Sequence, residues 1–117
     1  MARFLLVLLL ITHALIHLAA SMDAFGFLSI VWISGDPSRI CGLFWLAASG
    51  LFLLSLLLIL LKSPNWIWVA TSACIISQVL ILTYWKDAKL GSLVNLVVAA
   101  AAVFSVMSRE INLIFRD

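Results

Sequence analysis

The sequence predicts an all-α integral membrane protein, a four-helix up-down bundle with an extra short interfacial helix after the first span. Three observations predict it. Of 117 residues, 66% are hydrophobic and only 10% charged, more apolar surface than a small water-soluble domain can hide, because small domains keep a large surface for their volume. The apolar residues fall into four runs, at about 4–20, 40–61, 66–85 and 90–107, each near the roughly 17 to 25 residues that cross the hydrocarbon core of a bilayer. The later runs are separated by only a few residues, so successive helices must be antiparallel neighbours. No stretch is left for a soluble domain, and residues 1–117 read as a single transmembrane domain.

The first run, Phe4–Ala20, has the outline of a cleavable signal, with Arg3 before it and Leu18–Ala19–Ala20–Ser21 at its end. His13 and His17 inside it are unusual in a disposable apolar core, and the run is read as the first membrane helix. Residues 24–34 (AFGFLSIVWIS) are apolar but too short to span. They suit an interfacial helix better than a continuation of helix one beyond the membrane surface. Before the second run, Asp36–Pro37–Ser38 supplies an N-cap and a first-turn proline. Ser63–Pro64–Asn65 does the same before the third, and Asp87 can cap the fourth. The tail at 108–117 sets Ile111, Ile114 and Phe115 between charges, as a segment resting on the cytoplasmic membrane surface would.

Basic residues set orientation. Arg3, Lys62, Arg109 and Arg116 lie on one side. Arg39, Lys86 and Lys89 lie on the other, offset by Asp23, Asp36 and Asp87. Both termini are therefore expected in the cytoplasm. Trp32, Trp45, Trp66, Trp68, Tyr84 and Trp85 sit mostly near helix ends, where an aromatic belt would lie. Small residues mark expected packing seams: Ala47 and Gly50 in the second helix, Ala70, Cys74 and Gln78 in the third, Gly91, Asn95 and Ala99 in the fourth. Cys41 and Cys74 have no metal-ligand spacing and start at different depths, so two free thiols are expected.

Four polar side chains fall inside the spans: His13, His17, Gln78 and Asn95. Polar groups in hydrocarbon are costly unless paired, so they mark either a site or interhelical bonds. The topology places all four toward the outer end, with Tyr84 just above. His13 and His17, spaced i, i+4, share one helix face. That spacing can chelate a metal if Asp23 or Asp87 completes the set, but it cannot clamp one haem from both faces. His13, His17, Gln78, Tyr84 and Asn95 could equally fix the head group of a quinone, lipid or other amphiphile. Mutual hydrogen bonding that sets helix register is the simplest reading of all.

His13–Ala14–Leu15–Ile16–His17, Gly42–Leu43–Phe44–Trp45–Leu46, Ser77–Gln78–Val79–Leu80–Ile81 and Trp85–Lys86–Asp87–Ala88–Lys89–Leu90–Gly91 with Asn95 resemble a family of small four-helix bacterial integral membrane proteins. The resemblance covers about residues 4–105. It implies the fold and a bacterial inner-membrane location and brings no activity with it. The chain departs from the family pattern at Ala14, where that pattern has glycine, and at Leu18–Ala19–Ala20, where it has a Gly-Phe pair.

The net charge of +2 is too small and scattered for a nucleic-acid partner. No nucleophile has an evident base beside it, no glycine-rich phosphate loop occurs, and no cofactor is required by the residues. The function expected is that of a non-enzymatic membrane protein, a binding or accessory component. Its partners would be the bilayer and other membrane subunits or further copies of itself. The alternative is a membrane enzyme or redox component that binds a quinone or lipid at the outer polar cluster.

Overall fold

A computed structural model describes residues 2–27, 29 and 37–107. The described residues are all-α, with five helices and no strand: α1 (Ala2–Ala24), α2 (Arg39–Leu60), α3 (Trp66–Thr83), a single turn α4 (Trp85–Ala88) and α5 (Gly91–Met107). At about 1.5 Å per residue, α1, α2 and α3 are long enough to cross a membrane, and their composition is apolar enough to do so. Helix α5 is similarly apolar but, at 17 residues, shorter than the 22 of α2. Most of the 24–34 segment lies outside the described residues, as do Trp32, Asp36 and the whole of 108–117.

The helix ends follow from their own backbone chemistry. Helix α1 stops at Gly26, whose φ of 81° is in the left-handed region. There the Gly26 N–H bonds to the Asp23 carbonyl and the Phe27 N–H to the Met22 carbonyl. This paired C-cap satisfies carbonyls the helix would otherwise leave bare, and it rules out a straight continuation of helix one. Helix α2 ends the same way at Lys62, φ 57°, with Lys62 N–H on the Ile59 carbonyl and Ser63 N–H on that of Leu58. At the start of α2 the cap is Ser38, whose hydroxyl accepts from the Cys41 N–H at 3.2 Å, so Pro37 precedes the cap. Before α3, the Ser63 hydroxyl accepts from the Asn65 N–H. Asp87 does not cap α5; it sits in the first turn of α4, four residues before α5 begins.

Specific contacts give the directions. Ala24 meets Gly42 and Ala14 meets Ser49, so α1 and α2 are antiparallel. Trp45 meets Tyr84, and Ser77 meets Asn95, which orders α2, α3 and α5 likewise. Helix α1 packs broadly on α2, α2 on α3 and α3 on α5, whereas α1 and α5 touch sparingly. The main core joins Leu10 and Ala14 of α1, Phe52 and Ile59 of α2, Trp66 and Ala70 of α3, and Val98 of α5. Large apolar side chains also cover the outside, among them Leu43, Trp68, Ile75, Leu82 and Leu96.

Two packing expectations need correction. The small-residue face of α2 is Gly42, Ala48 and Ser49; Ala47 and Gly50 point outward, and a Cβ on Gly50 would meet nothing within 4 Å. Trp45 and Trp66 are buried rather than placed in a belt, while Trp68 and Trp85 are exposed. Both errors have one cause: a helix apolar on every side has no amphipathic direction to read.

Gly42 is the tightest of these contacts. A Cβ there would lie 2.7 Å from the Ala24 Cβ, a short, stiff neighbour that cannot swing away. Gly42→Ala should lower stability by about 1–3 kcal/mol, seen as an earlier thermal midpoint in detergent. Lys62→Gly should act in the opposite direction, by about 1 kcal/mol, because glycine adopts the left-handed conformation without the Cβ penalty.

Candidate functional site

The i, i+4 spacing of His13 and His17 turns both imidazoles inward from α1, where they are 3% and 4% exposed. Their ring centroids lie 4.6 Å apart, edge to face. Phe52 of α2 holds the pair from one side. Its ring lies parallel to that of His17 (5.7 Å, 4°) and edge-on to that of His13 at 4.9 Å. The Ser49 hydroxyl, one turn before Phe52, donates to the Ala14 carbonyl at 2.8 Å and ties α2 to the α1 backbone.

The polar edges of the rings face α3 and α5. His13 Nε2 lies 3.1 Å from Asn95 Oδ1. Asn95 Nδ2 donates to Ser77 Oγ at 3.0 Å and to Gln78 Oε1 at 3.2 Å. Ser77 Oγ lies 2.8 Å from His17 Nε2 and 3.4 Å from His13 Nε2. Gln78 Nε2 donates to Ser92 Oγ at 3.0 Å. One connected network thus joins α1, α3 and α5 at a single level of the bundle. Cys74 adds a longer contact, its thiol 3.8 Å from the Asn95 carbonyl oxygen. Cys41 and Cys74 are both free thiols.

A cavity of about 340 Å³ lies where α1 and α5 diverge, within the range of small-molecule sites. His13 and His17 line it together with Ile81, Gly91 and Val94. Trp45, Tyr84 and Asp87 stand nearer the end of the bundle where α4 lies. A second hollow of about 500 Å³ lies along α3 and α5, where Gln78, Ser92 and Asn95 face it with Cys74. Asn95 borders this second hollow and bonds to His13, which borders the first.

The structure brings His13 into contact with both His17 and Asn95 and puts Gln78 one bond further out. Tyr84 is not in the network, although it borders the same cavity as the imidazoles. Its ring lies 4.9 Å from that of Trp45, and its phenol sits against the Cys41 thiol and the Ser38 backbone. Of the residues considered as metal ligands, His13, His17 and Asp87 border the cavity and Asp23 does not. Among the described residues no three His, Cys, Asp or Glu side chains are close enough to hold a metal ion.

Sequence reasoning passed over Ser77, the hydroxyl that both imidazoles approach, and Phe52, which packs against both rings. Ser77 had a signal available, since it lies three residues beyond Cys74 and extends the Ala70–Cys74 stripe. Phe52 had none, being one large apolar residue in a helix full of them.

Comparison with protein-family models, with curated proteins and with solved structures finds no match to this chain.

The network should behave as coupled pairs rather than separate contacts. A double-mutant cycle on His13→Ala and Asn95→Ala, followed by unfolding in detergent, should give a coupling of about 0.6 kcal/mol, with about 1.7 as the upper end for such bonds in membranes. Additive losses would mean that the 3.1 Å bond contributes nothing measurable.

Proposed function

We propose that this chain is a non-enzymatic integral membrane protein that crosses a bacterial inner membrane four times and binds an amphiphile, of the quinone or lipid kind, between α1 and α5. One observation carries this reading: two nearly buried imidazoles border a cavity of about 340 Å³ whose other walls are mostly apolar. Ligand sites for amphiphiles have this composition, an apolar container with a few convergent polar groups that fix the head.

The membrane part rests on α1, α2 and α3, each long and apolar enough to span, and on the large apolar side chains that every long helix presents outward. Exposure on that scale in water would be a liability. Helix α5, at 17 residues, would cover about 25 Å and serve as the fourth span through a locally thinned bilayer. With Arg3 and Lys62 on the cytoplasmic side, the cavity opens in the outer half of the membrane. The motif resemblance supports the bacterial envelope.

A purely architectural role has an observation of its own. Both Nε2 atoms, both carboxamides and Ser77 are partnered inside the protein, so the cluster explains itself without a ligand. The catalytic alternative, turnover of a quinone or lipid, has no feature beyond the same cavity.

Extraction and mass spectrometry of protein purified in lipid nanodiscs separates these readings. Wild-type protein should retain an amphiphile that protein-free nanodiscs lack. His13→Ala/His17→Ala should lose it while melting cooperatively. Val94→Phe, which adds bulk at the cavity wall and replaces no network residue, should lose it too. A wild-type extract identical to bulk lipid would remove the binding role and leave the architectural one.

A further inference from the structure

The bonds around Ser77 and Asn95 constrain where the protons lie. Thr12, Thr71, Ser72, Thr83 and Ser105 each turn their hydroxyl back to the carbonyl four residues earlier. Ser77 does not, and its one proton is available to the network. Asn95 donates to Ser77 through Nδ2, so its Oδ1 requires a donor and His13 carries hydrogen on Nε2. Ser77 then gives its own proton to His17 Nε2, and His17 carries hydrogen on Nδ1.

Turning both carboxamides over leaves every heavy atom in place and reverses each arrow. Ser92 then donates to Gln78, and Gln78 and Ser77 both donate to Asn95. His17 Nε2–H donates to Ser77, and Asn95 donates to His13 Nε2. In either order one ring is protonated on Nε2 and the other on Nδ1. The shared serine thus forces opposite tautomers on the two histidines, since neutral imidazole has one donor and one acceptor.

With both Nε2 atoms engaged, the ring nitrogens left without a bond are the two Nδ1 atoms, one an N–H and the other a lone pair, on two residues that line the cavity. Neither has a hydrogen-bond partner among the described residues. Neither is sealed away: among those residues the enclosed side-chain atoms lacking a partner are Ser55 Oγ and Trp66 Nε1.

We propose that the cavity selects a neutral amphiphile whose head group carries a hydrogen-bond donor and an acceptor together, an alcohol, a primary amide or, of the quinone kind, the reduced quinol, over one that carries acceptors alone. The proposal rests on the cavity being a ligand site. A hydroxyl or amide can answer both nitrogens. A ketone or ether answers the N–H and leaves the lone pair facing carbon, and a buried polar atom left unmatched costs more than the average bond contributes. Sites built to bond a hydroxyl reject analogues that lack it for this reason.

The test uses the full chain in nanodiscs and four probes of equal carbon count: dodecanol, dodecanamide, 2-dodecanone and undecyl methyl ether. Tryptophan emission reports occupancy, because Trp45 borders the cavity, and affinities are corrected for partition into protein-free nanodiscs. The alcohol and amide should bind about tenfold more tightly than the ketone and ether, the equivalent of one unmatched hydrogen bond. Equal affinity for all four overturns the head-group selection and leaves the cavity reading intact. Saturation by none of them overturns both. Independently, nitrogen-15 NMR of histidine-labelled protein should show one ring protonated on Nε2 and the other on Nδ1. Two rings in the same tautomer, or either one doubly protonated, would overturn the proton order from which the selection follows.

Discussion

Hydrocarbon has nothing to offer an imidazole or a carboxamide, and this absence organises the bundle. His13, His17, Gln78 and Asn95 would each face a desolvation cost if left bare, so the helices carrying them must turn until these groups meet. Ser77 and Asn95 are the meeting point, and between them they set the rotation of α1, α3 and α5 about their axes. Each bond is worth little, about 0.6 kcal/mol on average in membranes. The packing of Leu10, Phe52, Ile59 and Trp66 supplies more cohesion. Apolar packing tolerates many rotations, whereas a network of this kind accepts few. The polar residues decide which bundle forms, and the apolar ones make it firm.

The cavity is the consequence of how α1 is shared between its neighbours. On the α2 side, Gly42 admits Ala24 to close contact, and Ser49 bonds directly to the α1 backbone. Helix α1 is thereby drawn toward α2 and away from α5, which borders the gap with Gly91 and Val94. Trp45 and Tyr84, ring against ring, bound the resulting space at the end where α4 lies. An apolar hollow with two imidazoles on its wall therefore follows from a glycine and a serine on the neighbouring helix α2.

Much of this was legible in the residues. Long apolar runs marked the helices, and the i, i+4 histidines and the stripe of small residues on α3 pointed to the level at which the polar groups gather. What stayed hidden was mostly direction. Trp66 reads as an interfacial residue and lies buried. Ala47 and Gly50 read as a seam and point outward, with the true seam one position away at Ala48 and Ser49. In water, the polar face of a helix reveals its apolar one. A helix apolar all round hides that direction, and only its rare polar residues restore it. Ser77 was missed for a related reason, because serine in such a helix usually satisfies itself on its own backbone.

The partners in this network are far apart along the chain. His17 and Ser77 are separated by 60 residues and His13 and Asn95 by 82, so α1 emerges from the ribosome long before the groups that answer its imidazoles exist. Helix α3 brings Ser77 to His17 first, and His13 gains Asn95 only when α5 follows. The two rings are thus answered in two steps, and the second completes the network.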